Sequence, residues 1–296
     1  MQKSVSILLP TYNCHCERLV TELQRQCVEE QADFEIIVAD DGSTIASYTE
    51  HNLRIERLKG VCYIIRERNI GRSSIRNFLV SQATKDWLLF IDGDLSLDNP
   101  HFIRNYLDAD GDVIVGGLKI GGDEKKWGNN LRYRYERATE KLQDAESRAK
   151  HPYQHTSTNF MVRKKLMGEN PYNTDIKGYG YEDVLLGKDF QKKQLKVNHI
   201  NNPVLFDFFE PNDVFITKTE ESLRTLYNFK NELKGYSRLL AIIDKLKKMH
   251  VCGIVSSLYG ILHRIIKQQL LSNNPSIFLF NFYKLMYFVH YESSKS

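Results

Sequence analysis

Asp92-Gly93-Asp94 places two carboxylates one residue apart, directly after the apolar run 87–91. Hard oxygen donors of this kind suit Mg2+ or Mn2+. Such a cation would neutralise a diphosphate and the charge that develops on it as a leaving group. A second acidic group, Asp40-Asp41-Gly42-Ser43, follows the run 34–39. Asp-Gly is a turn former, and a carboxylate at a strand end can also accept a hydrogen bond from a base N–H or a ribose hydroxyl. A third, Glu182-Asp183, closes the segment GYGYED at 178–183, where two glycines allow a backbone turn beside two tyrosines. Either acid can act as a general base, and either also suits the start of a helix. Arg76, four residues after Arg72, can face the same region and pair with phosphate or brace a carboxylate. Arg72 and Arg68 read as solvated helix arginines.

These groups need strands to hold them. Apolar runs at 5–9, 34–39, 61–65, 87–91 and 113–115 alternate with stretches of helical spacing, such as Leu19/Leu23 and Ile75/Phe78/Leu79. That rhythm predicts an α/β domain with a mostly parallel sheet flanked by helices. Ligands of such sheets bind at the carboxyl ends of the strands. Thr11-Tyr12-Asn13, Asp40–Ser43 and Asp92–Asp94 are therefore predicted to converge on one rim. Further on, 116–130 reads as a Gly-rich loop, 131–150 as one long charged helix, 159–162 and 197–206 as strands, and 181–194 as a helix with an acidic start. From residue 219 the pattern becomes helical. Leu239, Ile242, Ile243 and Leu246 form one stripe, with Lys245, Lys247 and Lys248 on the other side. We divide the chain into a catalytic domain, 1–218, and a C-terminal helical appendage, 219–296.

The composition, 296 residues with 42% hydrophobic and 26% charged, supports a real core and excludes a disordered or collagen-like chain. The formal net charge of +4 is no argument for nucleic acid, which we exclude as a partner. Residues 219–296 hold 11 Lys and Arg against 5 Asp and Glu, so they carry +6 and leave −2 for the rest. The appendage is thus the place to meet a partner. It packs on the catalytic domain, forms a homodimer, or makes peripheral contact with an anionic membrane. Its apolar stretches, 251–262 and 277–289, are shorter than the ~18 residues a spanning helix requires. Five irregularly spaced cysteines read as buried thiols in a reducing compartment rather than a disulfide framework. Cys14-His15-Cys16 has no second Cys/His pair at zinc-site spacing. With no secretory signal in the sequence, a cytoplasmic location is expected, with the inner face of the membrane as its variant. No G-x-G-x-x-G follows a strand, which argues against a nicotinamide dehydrogenase. Pro10–Asn13 lacks the Gly-rich loop usual in an NDP-sugar nucleotidyltransferase.

Five segments stand in a familiar order: SVSILLPTYN at 4–13, VADDGS at 38–43, NIGRSSIRN at 69–77, FIDGD at 90–94 and GYGYED at 178–183. Together they resemble family 2 glycosyltransferases, which have the GT-A fold, over residues 4–218. The resemblance implies a UDP-sugar donor, a glycan or glycolipid acceptor, Mn2+ or Mg2+, inversion at the transferred sugar, and a place in polysaccharide biosynthesis. It implies that Thr11, Tyr12 and Asn13 line the nucleotide pocket, with Pro10 shaping the turn. Asp41 would contact uracil with Asp40 nearby, Arg76 would brace the phosphate region, Asp92 beside Gly93 would lie close to the ribose and sugar, and Asp94 would ligate the metal. Asp183 would be the base and Glu182 an acceptor contact, with those roles open to exchange. Trp127 and Tyr179 would stack on a sugar face or, alternatively, pack in the core. One departure stands out. Relatives with a similar acidic segment often carry a metal-ligating histidine after Asn-Pro-Val, and here Phe206 takes that position. Asp207 or His199 is then the candidate further ligand. The activity expected is that of a hexosyl- or N-acetylhexosaminyltransferase. The alternatives are a catalytically weak sugar- or nucleotide-binding scaffold on the same fold, or the nucleotidyltransferase.

Overall fold

A computed structural model describes residues 3–154 and 156–295. The strands are β1 (Ser4–Thr11), β2 (Asp33–Asp40), β3 (Val61–Ile65), β4 (Trp87–Ile91), β5 (Val113–Val115), β6 (Leu118–Ile120), β7 (Asn159–Arg163), β8 (Val197–His199) and β9 (Val204–Phe206). The helices are α1 (Glu17–Glu29), α2 (Ala46–Asn52), α3 (Arg72–Gln82), α4 (Phe102–Asp108), α5 (Glu124–Trp127), α6 (Leu131–Thr139), α7 (Ala145–Ala149), α8 (Lys164–Met167), α9 (Glu182–Lys192), α10 (Asn212–Asn228), α11 (Arg238–Lys248), α12 (Cys252–Leu270) and α13 (Ile277–Lys295).

The chain forms two compact units. The first comprises 1–121, 140–177 and 182–208. Its seven-stranded sheet runs β3-β2-β1-β4-β7-β5-β8 and is parallel except for β7, which is antiparallel to both neighbours. This is the predicted α/β class. Both sheet faces are covered, so the strands are apolar almost throughout. Alternate residues serve opposite faces. Ile7, Leu9 and Val38 pack with Leu19 and Leu23 of α1 and Phe102 and Tyr106 of α4. Leu8, Ile37 and Phe90 pack with Ile75 and Leu79 of α3 and Leu186 and Phe190 of α9.

Three predicted elements differ. The run 197–206 is two strands in different sheets, because Asn202 turns inward between them. Its side chain is fully buried, donates to the Phe102 carbonyl at 2.9 Å and accepts from Asn99 and Asn105 at 2.8 and 3.0 Å. Pro203 follows with no N–H to offer a ladder. The predicted loop 116–130 contains β6, which pairs in parallel with β9, and also the short α5. The predicted helix 131–150 is broken into α6, a 3-10 turn at Glu140–Leu142, and α7. Asp144 caps α7 through the Ser147 N–H at 2.9 Å. The Arg148 guanidinium then reaches the carbonyls of Val115 and Ile200 at 3.0 and 2.8 Å, anchoring α7 to the sheet.

The second unit comprises 122–139, 178–181 and 209–296. The boundary placed at 218/219 thus falls inside α10, and the helical part begins ten residues earlier. Its core joins Leu131, Phe215, Ile216, Leu270, Phe280 and Met286. Its acids are paired: buried Glu292 meets Lys230 and Lys247 at 2.9 and 2.8 Å, and half-buried Glu220 accepts from Tyr283 at 2.6 Å. Among the described residues no single helix is long and apolar enough to cross a membrane. All five cysteines are free; Cys16 and Cys27 are buried as expected, whereas Cys62 is exposed.

Candidate active site

The ends of β1, β2 and β4 meet as predicted. Thr11 is in register with Asp40, the Asp41 N–H donates to the Thr11 carbonyl at 2.9 Å, and the Gly93 N–H donates to the Pro10 carbonyl at 3.2 Å. Thr11 is buried, and its hydroxyl points back to Ala39. The Asn13 carboxamide oxygen accepts from the Thr44 and Ile45 N–H groups at 3.0 and 3.2 Å, so Asn13 clips the first rim loop to the second. Tyr12, 46% exposed, is the residue of this turn that offers a ring to solvent.

Asp40 and Asp41 divide two structural tasks. Buried Asp40 accepts from the Ser43 N–H at 2.6 Å, the Ser43 hydroxyl at 2.8 Å and the Tyr63 hydroxyl at 2.9 Å, which closes the turn. Asp41 accepts from the Ile70 and Gly71 N–H groups at 2.9 and 3.0 Å and so holds the loop before α3. Burial pushes its carboxyl above the usual range despite those bonds. Gly42 has φ +70, and a Cβ there would lie 2.5 Å from the Arg68 carbonyl carbon. Gly42→Ala is expected to cost about 2–4 kcal/mol from the left-handed backbone and the backbone clash together; urea unfolding measures it. Gly93 is required for a different reason: a Cβ would collide with the Thr11 methyl group.

Behind the rim lies a network of two arginines and two acids. Arg76, 1% exposed, donates to Asp92 Oδ1 at 2.6 Å and lies 3.4 Å from Glu182 Oε1. Its guanidinium stands 5.7 Å from the Tyr172 ring centre, and Asn77 fixes that tyrosine through both its backbone N–H and its carbonyl. Arg72, read from sequence as solvated, donates to Glu182 Oε1 at 2.7 Å and lies 3.6 Å from Asp92. The signal was present, since residues i and i+4 share a helix face. Among the described residues, Arg76 Nε and Glu182 Oε2 of this network are buried without a hydrogen-bond partner. Burial raises the Glu182 carboxyl, but Arg72 and Arg76 outweigh it and hold it below the usual range. Asp183 behaves oppositely. Burial and then the Glu182 charge push it up to about 7, and the Val184 N–H at 2.8 Å only partly offsets them. The arginines thus favour the charged form of Glu182, while burial and that charge favour the neutral form of Asp183.

Asp94 is exposed at the rim. Ser96, two residues on, forms an antiparallel bridge with Leu205, and its hydroxyl lies 3.3 Å from Asp207 Oδ1. The structure therefore draws the Asp207 loop to the Asp92–Asp94 turn. Phe206 lies in β9 and packs against the sheet core. His199 is turned away from any ligand role. Its Nδ1 meets Arg148 at 2.9 Å and its Nε2 donates to the Pro152 carbonyl at 3.0 Å, so both ring nitrogens are occupied. Among the described residues no group of three or more His, Cys, Asp or Glu could hold a metal. One or two carboxylates fit the way Mg2+ is usually bound, with substrate phosphates completing the shell. Asp94 and Asp207 meet that donor chemistry. At Cys14 and Cys16 burial pushes both thiols up, to about 12 at Cys14, which disfavours the thiolate a metal would need.

Trp127 and Tyr179 belong to the second unit. Trp127 is half-buried and packs edge-on against Phe209, with ring centres 5.3 Å apart. Tyr179 is half-buried, its N–H donates to Glu221 at 3.2 Å, and it lines a cleft of that unit with Tyr135, Phe215 and Lys218.

A sheet of this order with acidic strand ends and an arginine-braced acid pair fits one class, the glycosyltransferases of GT-A fold. Within it, the chain belongs to glycosyl transferase family 2, whose model matches residues 6–169. It is 30% identical over 95 residues to the amylovoran biosynthesis glycosyltransferase AmsB of Erwinia amylovora, covering 31% of each chain. It is 30% identical over 122 residues to the poly(ribitol-phosphate) β-glucosyltransferase of Bacillus spizizenii, covering 39% of this chain and 19% of that one. The matches thus span less than a third of each of these two relatives. Among solved structures, it is similar to a mannosyltransferase from Pyrobaculum calidifontis in complex with GDP-Man and Mn2+, with a TM-score of 0.56 and 14% identity over 100% of this chain and 87% of that one. It is also similar to S. aureus TarS 1-349 in complex with UDP-GlcNAc, with a TM-score of 0.52 and 15% identity over 99% and 92%. At these identities the structures speak for the GT-A fold.

Proposed function

We propose that the chain is an inverting glycosyltransferase that moves a hexosyl or N-acetylhexosaminyl group from a UDP-sugar to a hydroxyl of a glycan or glycolipid, as a step in polysaccharide synthesis. The observation that carries this reading is the geometry of the rim, where Arg72 and Arg76 bridge Asp92 to Glu182 and Asp183 stands next in the chain. Asp183 takes the proton from the acceptor hydroxyl, whose oxygen attacks the anomeric carbon opposite the diphosphate. Glu182, fixed by Arg72 and Arg76, directs its unpartnered Oε2 to the acceptor sugar. Asp92 meets the donor ribose and sugar, and Tyr12 and Asp41 form the base end of the pocket, with Asp40, Thr11 and Asn13 holding their loops. Trp127 and Tyr179 serve the sugar side. A divalent cation, Mn2+ or Mg2+, held by Asp94 and Asp207, would neutralise the diphosphate. Positioning and fixed charge supply most of the rate.

A thermal-shift screen of nucleotide-sugars tests the donor. A UDP-sugar at 100 times its Kd stabilises the fold by about 2.7 kcal/mol. Omitting Mn2+ or introducing Asp94→Ala should remove most of that shift. Stabilisation by UDP without sugar transfer to any acceptor of a broad panel would favour the scaffold alternative.

The outward face of α12 supports peripheral membrane contact. Ile254, Ile261 and Ile265 are each 64–70% exposed, and Phe278 at the start of α13 is 78% exposed. Lys245, Lys247 and Lys248 end α11, supplying charge for anionic headgroups. We place the enzyme in the cytoplasm at the inner face of the membrane, a setting that suits its free thiols. The protein should cosediment with anionic liposomes, and glutamate at Ile254, Ile261 and Ile265 should abolish this. Wild-type protein that ignores liposomes but becomes monomeric on those substitutions would mark the face as a homodimer contact.

A further inference from the structure

The seven-stranded sheet has two edge strands, β3 and β8. β8 is covered, since its His199 meets Arg148 of α7 at 2.9 Å and the Pro152 carbonyl at 3.0 Å. β3 pairs with β2 and, among the described residues, with no other strand. In a parallel ladder alternate residues bond to the same neighbour. The Ile36 N–H donates to the Gly60 carbonyl at 2.8 Å and the Arg66 N–H to the Asp40 carbonyl at 3.0 Å, so residues 60, 62, 64 and 66 face β2. Val61, Tyr63 and Ile65 therefore turn their backbone groups outward. The Val61 N–H is taken by the Leu58 carbonyl at 3.2 Å. The N–H groups of Tyr63 and Ile65 and the carbonyls of Val61 and Tyr63 remain along the edge. Cys62 and Ile65, on opposite faces of the strand, are both exposed. Ile65 is 49% exposed and Leu53, in the 3-10 turn Leu53–Arg57, is 42% exposed, which is apolar surface that a further strand would cover.

Charge decides what fits there. Residues 53–68 hold five Lys and Arg against two Glu, so the strand and its flanks carry +3. A second copy would bring this excess against itself, and like charges oppose edge-to-edge pairing. An acidic strand would neutralise it. Arg66 is held beside the edge, its guanidinium stacked 4.3 Å from the Phe78 ring centre. We propose that the β3 edge docks an acidic peptide: an extended segment of a partner protein, with Asp or Glu alternating with apolar residues, that adds to the sheet as a new edge strand. Its backbone pairs with Tyr63 and Ile65, and its carboxylates meet the flanking cations. In this mode the backbone bonds supply affinity and the side chains select the sequence.

Fluorescence anisotropy on the full chain, with a labelled octapeptide of alternating Val and Glu, tests the assignment. The Val/Glu peptide binds saturably, and a Val/Lys peptide of equal length binds about tenfold more weakly or worse. In hydrogen exchange the bound peptide slows the Tyr63 and Ile65 amides and leaves those of Cys62 and Ile64, already bonded to β2, unchanged. Ile65→Pro removes an outward N–H and no ladder bond, so the sheet stands while affinity falls about tenfold. Arg57→Glu with Lys59→Glu, both at exposed positions, leaves the backbone edge intact and erases the preference for Glu over Lys. Failure of the Val/Glu peptide to bind at millimolar concentration would overturn the proposal. Equal binding of the two peptides to the wild type would remove the acidic class, and unchanged exchange at Tyr63 and Ile65 would remove the edge as the site. An oligothymidine of the same length that competes as well as the Val/Glu peptide would make this a surface for polyanions instead of a peptide. Wild-type protein that sediments as a dimer, and becomes monomeric as Ile65→Pro, would give the edge to a second copy.

Discussion

Replacing Asp183 by Asn should lower sugar transfer by about 10²–10⁴-fold, the usual worth of a general base, while donor affinity stays as in the wild type. The proton acceptor must be the carboxylate, and its neighbourhood lifts it to about 7. The pH profile of kcat/KM should therefore show an acid limb near that value, with the rate falling as pH drops through it. Part of the lift comes from the Glu182 charge. In Glu182→Gln the remaining acid limb should move to lower pH, because the like charge is gone. Full activity in Asp183→Asn, combined with a dead Glu182→Gln, would exchange the two roles.

Arg76→Ala should be the most damaging substitution for stability. It strands Asp92 and buried Glu182, which Arg76 contacts at 2.6 and 3.4 Å. Breaking a buried pair by removing one partner costs about 3–5 kcal/mol. Arg72 can rescue only part of this, being 42% exposed and screened by water. Lysine at the position should also fail, since one ammonium cannot reach both acids as the fork does. The loss should be greatest at neutral pH. A stranded carboxylate has a raised pKa in the fold, so as pH falls the folded state takes up protons first and the difference from wild type narrows. Urea midpoints of the variant and wild type across pH would record this. A constant difference at every pH would mean that packing on Tyr172, rather than charge, is what Arg76 supplies.

The rim was legible because its determinants are local. An apolar strand followed at once by Asp, Gly or Asn predicts both the strand and the polar end, and β1, β2 and β4 place those ends together. Gly42 and Gly93 are dictated by close approach, which a turn signal anticipates. The missed features depend on distant partners. The i, i+4 spacing puts Arg72 on the face of Arg76, but the acid that both meet, Glu182, lies 110 residues from Arg72. Nothing near residue 202 announces that Asn202 turns inward to meet Asn99 and Asn105 and splits one predicted strand into two. The break after α6 depends on Arg148 finding carbonyls of β5 and of the turn after β8. His199 looked like a ligand by type alone, and only its two hydrogen-bond partners exclude it. The second unit's boundary was hidden because its short segments 122–139 and 178–181 come from within the first unit's span.

The small sheet of β6 and β9, with the Ser96–Leu205 bridge, has a consequence for the order in which the protein assembles. The proposed metal carboxylates come from one side of that bridge and the other, and the Ser96–Asp207 contact closes across 111 residues of chain. Contacts of such sequence separation form late, after the loop-closure entropy has been met by nearer pairings. A ribosome-bound chain ending before residue 204 already contains β1, β2 and β4 and can shape the proposed nucleotide rim. It lacks Asp207 and the strand that carries it. Metal competence should therefore trail nucleotide competence during synthesis, so an unfinished chain could grip a nucleotide before it could hold the cation.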